Sequence, residues 1–184
     1  MKSVAEIVCA LLAKGEEAVL ATIIGHQGST PRTAGAHMVI SQDGKGHGSI
    51  GGGTLEARVL EVAREIRSGR CSRIISFDLS YEAVAGAEMI CGGRVEVLLD
   101  HIIPTTENAA VFNRWRQAQA ESEDCLFVTV IVGVERNIER IDHCLILADV
   151  TVHGVSLSRL RPCTRWPRRA GGRDPSWWRS SRTV

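Results

Sequence analysis

Two glycine-dense segments carry the residue types best suited to holding an anionic ligand. The first reads GSIGGGTLE over residues 48–56, and the second reads MICGG over residues 89–93. Consecutive glycines such as Gly51, Gly52 and Gly53 lose more conformational freedom on folding than other residues do. We therefore expect either a tight backbone path at these positions or a ligand that contacts bare main chain.

The triple glycine precedes a predicted helix over residues 54–68, which favours an anion site. The first N–H groups of a helix lack internal partners, and the helix dipole places partial positive charge there. Glycine backbone lets a phosphate approach closely. The segment matches neither a Walker loop nor the dinucleotide fingerprint. A tight strand-to-helix turn without a ligand explains the glycines equally well.

A polar loop earlier in the chain, GSTPRTAG over residues 28–35, adds ligand-binding groups. Ser29 and Thr30 supply hydroxyls, and Arg32 supplies a planar guanidinium suited to phosphate or carboxylate. The alternative is a structural crossover in which Arg32 pairs with Glu56 or Glu61.

Cys91 differs from the other five cysteines because Gly92 and Gly93 follow it. A thiol among bare amide groups can ionise more readily and act as a metal or sulfur ligand. An inert buried cysteine is the alternative. The chain has no C-x-x-C pair, so a zinc knuckle is not indicated, and we expect free thiols.

Hydrophobic periodicity predicts the elements that position these groups. An amphipathic helix is predicted over residues 3–14, with Ser3 and Glu6 as a capping box. The pattern as a whole predicts an α/β fold: a mixed β-sheet of about six strands flanked by helices. The predicted helices cover residues 3–14, 54–68 and 106–121, and the predicted strands cover residues 18–24, 36–41, 47–50, 73–79, 94–99, 126–132 and 144–148.

The sequence also contains a degenerate internal repeat. The series Thr22, His37, Asp43, His47 is echoed by Thr129, His143, Asp149, His153, with a constant offset from His37 onward. The second copy lacks the loop and the triple glycine, so only the first is expected to carry chemistry. Chance similarity between two hydrophobic hairpins is the alternative.

Charge and composition divide the 184-residue chain into two parts. Residues 159–184 hold eight Arg, one Asp and three of the four Trp, which leaves a net charge of about −6 for residues 1–158. We expect residues 1–158 to form the domain and residues 159–184 to be a disordered tail or a product of truncation or a frameshift. The acidic body argues against nucleic acid. No apolar run is long enough for a bilayer and no signal peptide is evident, so no membrane partner and a cytoplasmic location are expected.

In their order along the chain, these motifs resemble the XdhC/CoxI family, accessory factors of molybdenum hydroxylases such as xanthine dehydrogenase and carbon monoxide dehydrogenase. The motifs are GSTPR at 28–32, GSIGGG with LE at 48–56, and CGG at 91–93 before a Val-x-Val strand. The resemblance spans residues 3–157.

The resemblance implies a chaperone, more than an enzyme, that binds the molybdenum cofactor, supports its sulfuration and inserts it into an apo-hydroxylase. It implies cofactor-binding roles for Ser29, Thr30, Arg32, Gly51, Gly52, Gly53, Glu56, Cys91, Gly92 and Gly93, with Cys91 near molybdenum or sulfur. It also implies a cysteine desulfurase as sulfur donor and allows a homodimer. The family's C-terminal Rossmann-like domain is absent from the pattern. The alternatives are a thiol-dependent enzyme acting on a phosphorylated small molecule and a fragment without full function.

Overall fold

A computed structural model describes residues 2–79, 93–134 and 137–154. Three helices and eight strands follow one another along this part of the chain. Their bounds are α1 Val4–Leu12, β1 Ala18–Gln27, β2 His37–Ile40, β3 Gly46–Gly48, α2 Gly53–Gly69, β4 Arg73–Asp78, β5 Arg94–Ile102, α3 Thr106–Ala120, β6 Cys125–Val134, β7 Asn137–Leu147 and β8 Val152–Gly154.

The predicted α/β fold with flanking helices is confirmed. The strands divide between two sheets: sheet A has the order β3-β2-β1-β5-β4, and sheet B has the order β6-β7-β8. Every described strand pair is antiparallel, which differs from the single mixed sheet expected. The reason is local, because hairpins join β1 to β2, β2 to β3, β6 to β7 and β7 to β8.

The helix ends follow from the capping residues in the sequence. Ser3 Oγ accepts the Glu6 amide at 3.2 Å, and the Glu6 carboxylate accepts the Ser3 amide at 2.7 Å, which forms the predicted capping box. Gly15 follows the helix with a φ of 73°. Thr105 caps α3 by accepting the Asn108 amide at 3.2 Å. None of the helices in the described ranges is long and apolar enough to span a membrane.

Sheet A is covered on both faces. Helix α2 packs its apolar stripe, which includes Leu55, Val59 and Ile66, on one face. Helices α1 and α3 cover the other face together with the inner face of sheet B, where Phe112 and Leu145 are fully buried. The site motifs therefore extend from the ends of a sheet that is fixed on both sides.

The internal repeat is confirmed by strand register. Thr22 pairs with His37 across β1 and β2, and Thr129 pairs with His143 across β6 and β7. Each threonine hydroxyl lies within hydrogen-bond distance of its histidine Nδ1, at 3.0 Å in the first copy and 3.3 Å in the second. The third strands also correspond, since β3 pairs with β2 as β8 pairs with β7.

A buried polar pair joins the two sheets. Asp100 on β5 and His143 on β7 are both nearly inaccessible, and the Asp100 Oδ2 to His143 Nε2 distance is 2.7 Å. The Ser72 hydroxyl donates to Asp100 Oδ1 at 3.0 Å. Buried polar groups are tolerated only when they are paired in this way. The pair therefore fixes how sheet B sits on sheet A.

His37 lies beside this junction, and its titration predicts acid sensitivity. Burial, together with the proximity of His143, lowers the pKa of His37 to about 4. The His37 imidazole binds a proton below about pH 6.5 in the unfolded chain but only below about pH 4 in the folded protein. The free energy of unfolding therefore falls as the pH decreases from about 6.5 to about 4. We expect a loss of roughly 2–3 kcal/mol between pH 7 and pH 4.5. Urea unfolding at both pH values measures it, and a His37→Asn variant with an unchanged pH dependence would contradict this assignment.

Candidate functional site

Three of the predicted motif segments converge at one end of sheet A. Gly93, just before β5, packs against the loop that follows β1 so closely that an added Cβ would overlap Ser29 O. The same Cβ would lie 2.8 Å from Thr30 Cγ2. On the other side of the loop, a Cβ on Gly51 would lie 2.9 Å from Pro31 Cγ. We call residues 29–32, 49–56 and 93 together the glycine patch.

The carboxylate of Glu56 organises the turn before α2. Glu56 Oε1 accepts the Ser49 hydroxyl at 2.7 Å, the Gly52 amide at 2.8 Å and the Ile50 amide at 3.1 Å. The Gly51 amide donates to Ser49 Oγ at 3.2 Å. The turn thus binds an anion that the chain itself provides. These donors were expected to meet a ligand phosphate, but the described contacts use them within the protein.

Hydrogen bonding also changes the ionisation of Glu56. Partial burial alone would raise its pKa, but the bonds from Ser49 Oγ and from the Gly52 and Ile50 amides outweigh that effect, and the pKa of Glu56 is lowered. The side chain is therefore a carboxylate at neutral pH. Its negative charge compensates the positive end of the α2 dipole.

Two glycines of the turn leave the backbone bare on its open side. Gly52 and Gly53 have φ angles of 78° and 58°, which L side chains rarely adopt, so the turn itself requires glycine. A Cβ built on either residue meets no atom within 4 Å. A ligand can therefore reach the main chain at these two positions without displacing a side chain.

The loop after β1 contributes exposed polar groups to the patch. Ser29 and Arg32 are exposed to solvent. The Thr30 hydroxyl donates to the Arg32 carbonyl at 3.0 Å, which shapes the turn. The carboxylate of Glu56 contacts Ser49 and backbone amides, whereas the sequence had offered it as a partner of Arg32.

Cys91 and Gly92 lie outside the described residues, so the predicted thiol is not part of the geometry above. The thiol-dependent enzyme considered from the sequence rests on that cysteine. Within the described ranges no group of three or more His, Cys, Asp or Glu side chains is arranged to hold a metal ion. The four cysteines described there, Cys9, Cys71, Cys125 and Cys144, are free thiols as expected.

The role of Ser49 and the contact of Pro31 with Gly51 were missed by sequence reasoning. The sequence does carry a signal for the role of Ser49. Helix α2 follows a serine and three glycines and has an acidic residue in its first turn, and such a carboxylate can cap the helix. The contact of Pro31 with Gly51 has no local signal, since it joins segments about 20 residues apart in the chain.

Comparison with known proteins identifies the family. Residues 11–78 match the model of the XdhC and CoxI family. This range contains the loop after β1 and the whole glycine turn, so every described residue of the patch except Gly93 falls inside it. This match confirms, for the part of the chain that it covers, the family predicted from the motif order.

Two curated relatives are similar over the same part of the chain. A protein of Bacillus subtilis (strain 168), named as a probable xanthine dehydrogenase subunit, is 32% identical over 132 residues, which cover 68% of this chain and 37% of the relative. The molybdenum cofactor insertion chaperone PaoD of Escherichia coli (strain K12) is 30% identical over 126 residues, which cover 62% of this chain and 39% of PaoD. The chain thus spans about two fifths of the length of these relatives.

A solved structure supports the fold. The crystal structure of a xanthine dehydrogenase from Bacillus halodurans superposes with a TM-score of 0.62 at 22% identity. The match covers 84% of this chain and 45% of that one.

Proposed function

We propose that this protein binds the molybdenum cofactor and takes part in its insertion into a molybdenum hydroxylase. The convergence of Ser29–Arg32, Gly51–Gly53 and Gly93 on one patch is the observation that carries the proposal. The family and the similarity to a named insertion chaperone support it.

The cofactor offers a phosphate and a pterin, and the patch offers matching groups. We assign the phosphate to the open side of Gly52 and Gly53, and we assign its side-chain contacts to Arg32 and the Ser29 hydroxyl. Because Glu56 already compensates the helix dipole, the positive charge toward the phosphate comes from Arg32. Glu56 holds the turn in shape, and the backbone next to it stays bare for the ligand.

The remaining assignments belong to the same proposal. We propose Cys91, two residues before Gly93 in the sequence, as a molybdenum or sulfur ligand, and Gly92 as part of the cofactor-binding segment. An apo-hydroxylase is the receiving partner and a cysteine desulfurase the sulfur source, in the cytoplasm. We also retain the domain boundary near residue 158 and a homodimer as proposals.

Co-elution of the cofactor tests this function. The purified chain is incubated without oxygen with molybdenum cofactor released from a molybdoenzyme and passed over a size-exclusion column. Molybdenum is then quantified across the protein peak. We expect close to one molybdenum atom per binding site. We also expect the bound cofactor to be released to an apo-hydroxylase, which then gains activity. A protein peak without molybdenum would contradict the proposal.

A further inference from the structure

The Glu56 carboxylate uses only one of its two oxygens within the described chain. Oε1 accepts three hydrogen bonds, from the Ser49 hydroxyl and from the Gly52 and Ile50 amides. No donor among residues 2–79, 93–134 and 137–154 hydrogen-bonds to Oε2. A carboxylate accepts hydrogen bonds at both oxygens, so the capacity of Oε2 is left for another molecule.

The Oε2 atom of Glu56 is also accessible. In the described part of the chain, the buried side-chain nitrogen and oxygen atoms that lack a hydrogen-bond partner are Arg67 Nε and Arg114 Nη1. Oε2 lacks a partner but is not one of these buried atoms, so it reaches solvent. The half-buried Glu56 side chain therefore turns one oxygen into the glycine turn and leaves the other one open.

The turn holds the carboxylate of Glu56 in place before any ligand arrives. Three donors fix Oε1, and the Ser49 hydroxyl oxygen in turn accepts the Gly51 amide at 3.2 Å. A side chain that is ordered in advance loses little conformational entropy when it binds a ligand. The fixed position of Oε1 also fixes where Oε2 lies relative to the bare backbone of Gly52 and Gly53.

The charge of Oε2 determines which part of the cofactor can meet it. An ionised carboxylate accepts N–H donors and repels a phosphate. Arg32 has the opposite preference, since its guanidinium binds phosphate and repels other cations. The molybdenum cofactor contains both kinds of group, because its pterin ring carries an exocyclic amino group in addition to the phosphate on its side chain.

We propose that Glu56 Oε2 accepts a hydrogen bond from the exocyclic amino group of the pterin. This inference rests on the proposed function and makes Glu56 a residue that determines specificity as well as one that shapes the turn. It also orients the cofactor, with the amino group at Glu56 and the phosphate toward Gly53 and Arg32. Because Oε1 is already saturated, a single hydrogen bond through Oε2 reads the amino group.

Two fluorescent pteridines serve as probes of this contact. Pterin carries the amino group, and lumazine carries an oxygen in its place. Each probe is kept far below its Kd and titrated at pH 7 with the full chain, and its fluorescence is followed. This comparison uses the unaltered protein, so it does not depend on whether a variant folds.

Glu56→Gln tests the assignment at the level of the side chain. The glutamine oxygen can still accept the donors of the turn, while its amide nitrogen replaces Oε2 and donates instead of accepting. Glu61→Gln is the matched control, because it removes the same charge from an exposed position of α2. Chemical denaturation checks that both variants fold.

We expect the unaltered chain to bind pterin with a Kd below about 1 mM and at least tenfold more tightly than lumazine. A hydrogen bond to a charged group contributes about 1.5–3 kcal/mol, which corresponds to a factor of at least ten. Glu56→Gln should weaken pterin binding at least tenfold without weakening lumazine binding. Glu61→Gln should leave both affinities within about twofold of those of the unaltered chain.

Equal affinities of the unaltered chain for pterin and lumazine, or no pterin binding at about 1 mM protein, would overturn the assignment. The same holds if Glu56→Gln keeps the preference for pterin. A chain that fails here but still co-elutes with the molybdenum cofactor would leave the proposed function standing. Loss of that co-elution would overturn the proposed function itself.

Discussion

Replacing Asp100 by alanine is expected to destabilise the protein by about 3–5 kcal/mol, because it breaks a buried pair and leaves its partners inside. His143 Nε2 loses its 2.7 Å contact, and the Ser72 hydroxyl loses its acceptor. His143 Nε2 then lies buried without this hydrogen bond, which costs more than the bond itself contributes. The half-buried Ser72 hydroxyl still accepts the His101 amide at 3.0 Å, so its loss is smaller. Because Asp100 belongs to sheet A and His143 to sheet B, the loss falls on the junction between the sheets.

Two further variants separate this effect from a general effect of lost charge. Asp100→Asn keeps an acceptor of the same shape toward His143 and should cost less than half as much. Glu65→Ala removes an exposed ion pair with Arg73 at 3.2 Å and should cost no more than about 1 kcal/mol. Chemical denaturation at pH 7 gives all three values. Similar losses for Asp100→Ala and Glu65→Ala would show that the buried pair does not hold the sheets together.

Replacing Gly93 by alanine is expected to displace the loop after β1 and destabilise the fold by about 1–3 kcal/mol. The added Cβ overlaps Ser29 O and comes within 2.8 Å of Gln27 O, and both are backbone atoms that cannot turn away. The loop must therefore move as a whole, which carries Ser29, Thr30 and Arg32 away from the glycine turn. We expect cofactor binding to weaken by more than the stability loss alone explains.

Gly25→Ala is the matched control for that substitution. Gly25 lies in β1 of the same sheet, and its added Cβ would meet the flexible Glu96 carboxylate at 3.2 Å rather than backbone. The carboxylate can rotate away, so we expect a change below about 1 kcal/mol and normal cofactor binding. Unfolding curves and binding of both variants are compared at one temperature. Equal behaviour of the two would refute the tight contact at Gly93.

Local patterns explain why much of the fold could be predicted from the sequence. The capping box of Ser3 and Glu6 and the 3.6-residue periodicity placed all three helices to within two residues at each end. The first half of β7 was missed, because residues 137–142 are mostly polar and lie at the end of a small sheet. The division into two sheets was also missed, since register between distant strands has no local signature.

The candidate site, like the fold, could be predicted only in part from the sequence. The order of the three motifs indicated one patch, and the contacts of Gly51 with Pro31 and of Gly93 with Ser29 bring the described segments together. The use of the turn's donors by Glu56 was not predicted, because it depends on how a side chain folds back over the turn. The pairing of Asp100 with His143 joins residues 43 positions apart and has no sequence signal.

The central claim, that the open side of the glycine turn receives the phosphate of the molybdenum cofactor, is tested most directly by one pair of variants. Gly53→Ala adds a methyl group to that open side, and Gly15→Ala adds one at a similar positive φ, 73° against 58°, in equally open space after α1. The backbone strain of the two is comparable, so stability should fall by about 1–2 kcal/mol in both. The measurement is the Kd for the cofactor. We predict at least a tenfold increase for Gly53→Ala and none for Gly15→Ala, and the same Kd in both variants would contradict the claim.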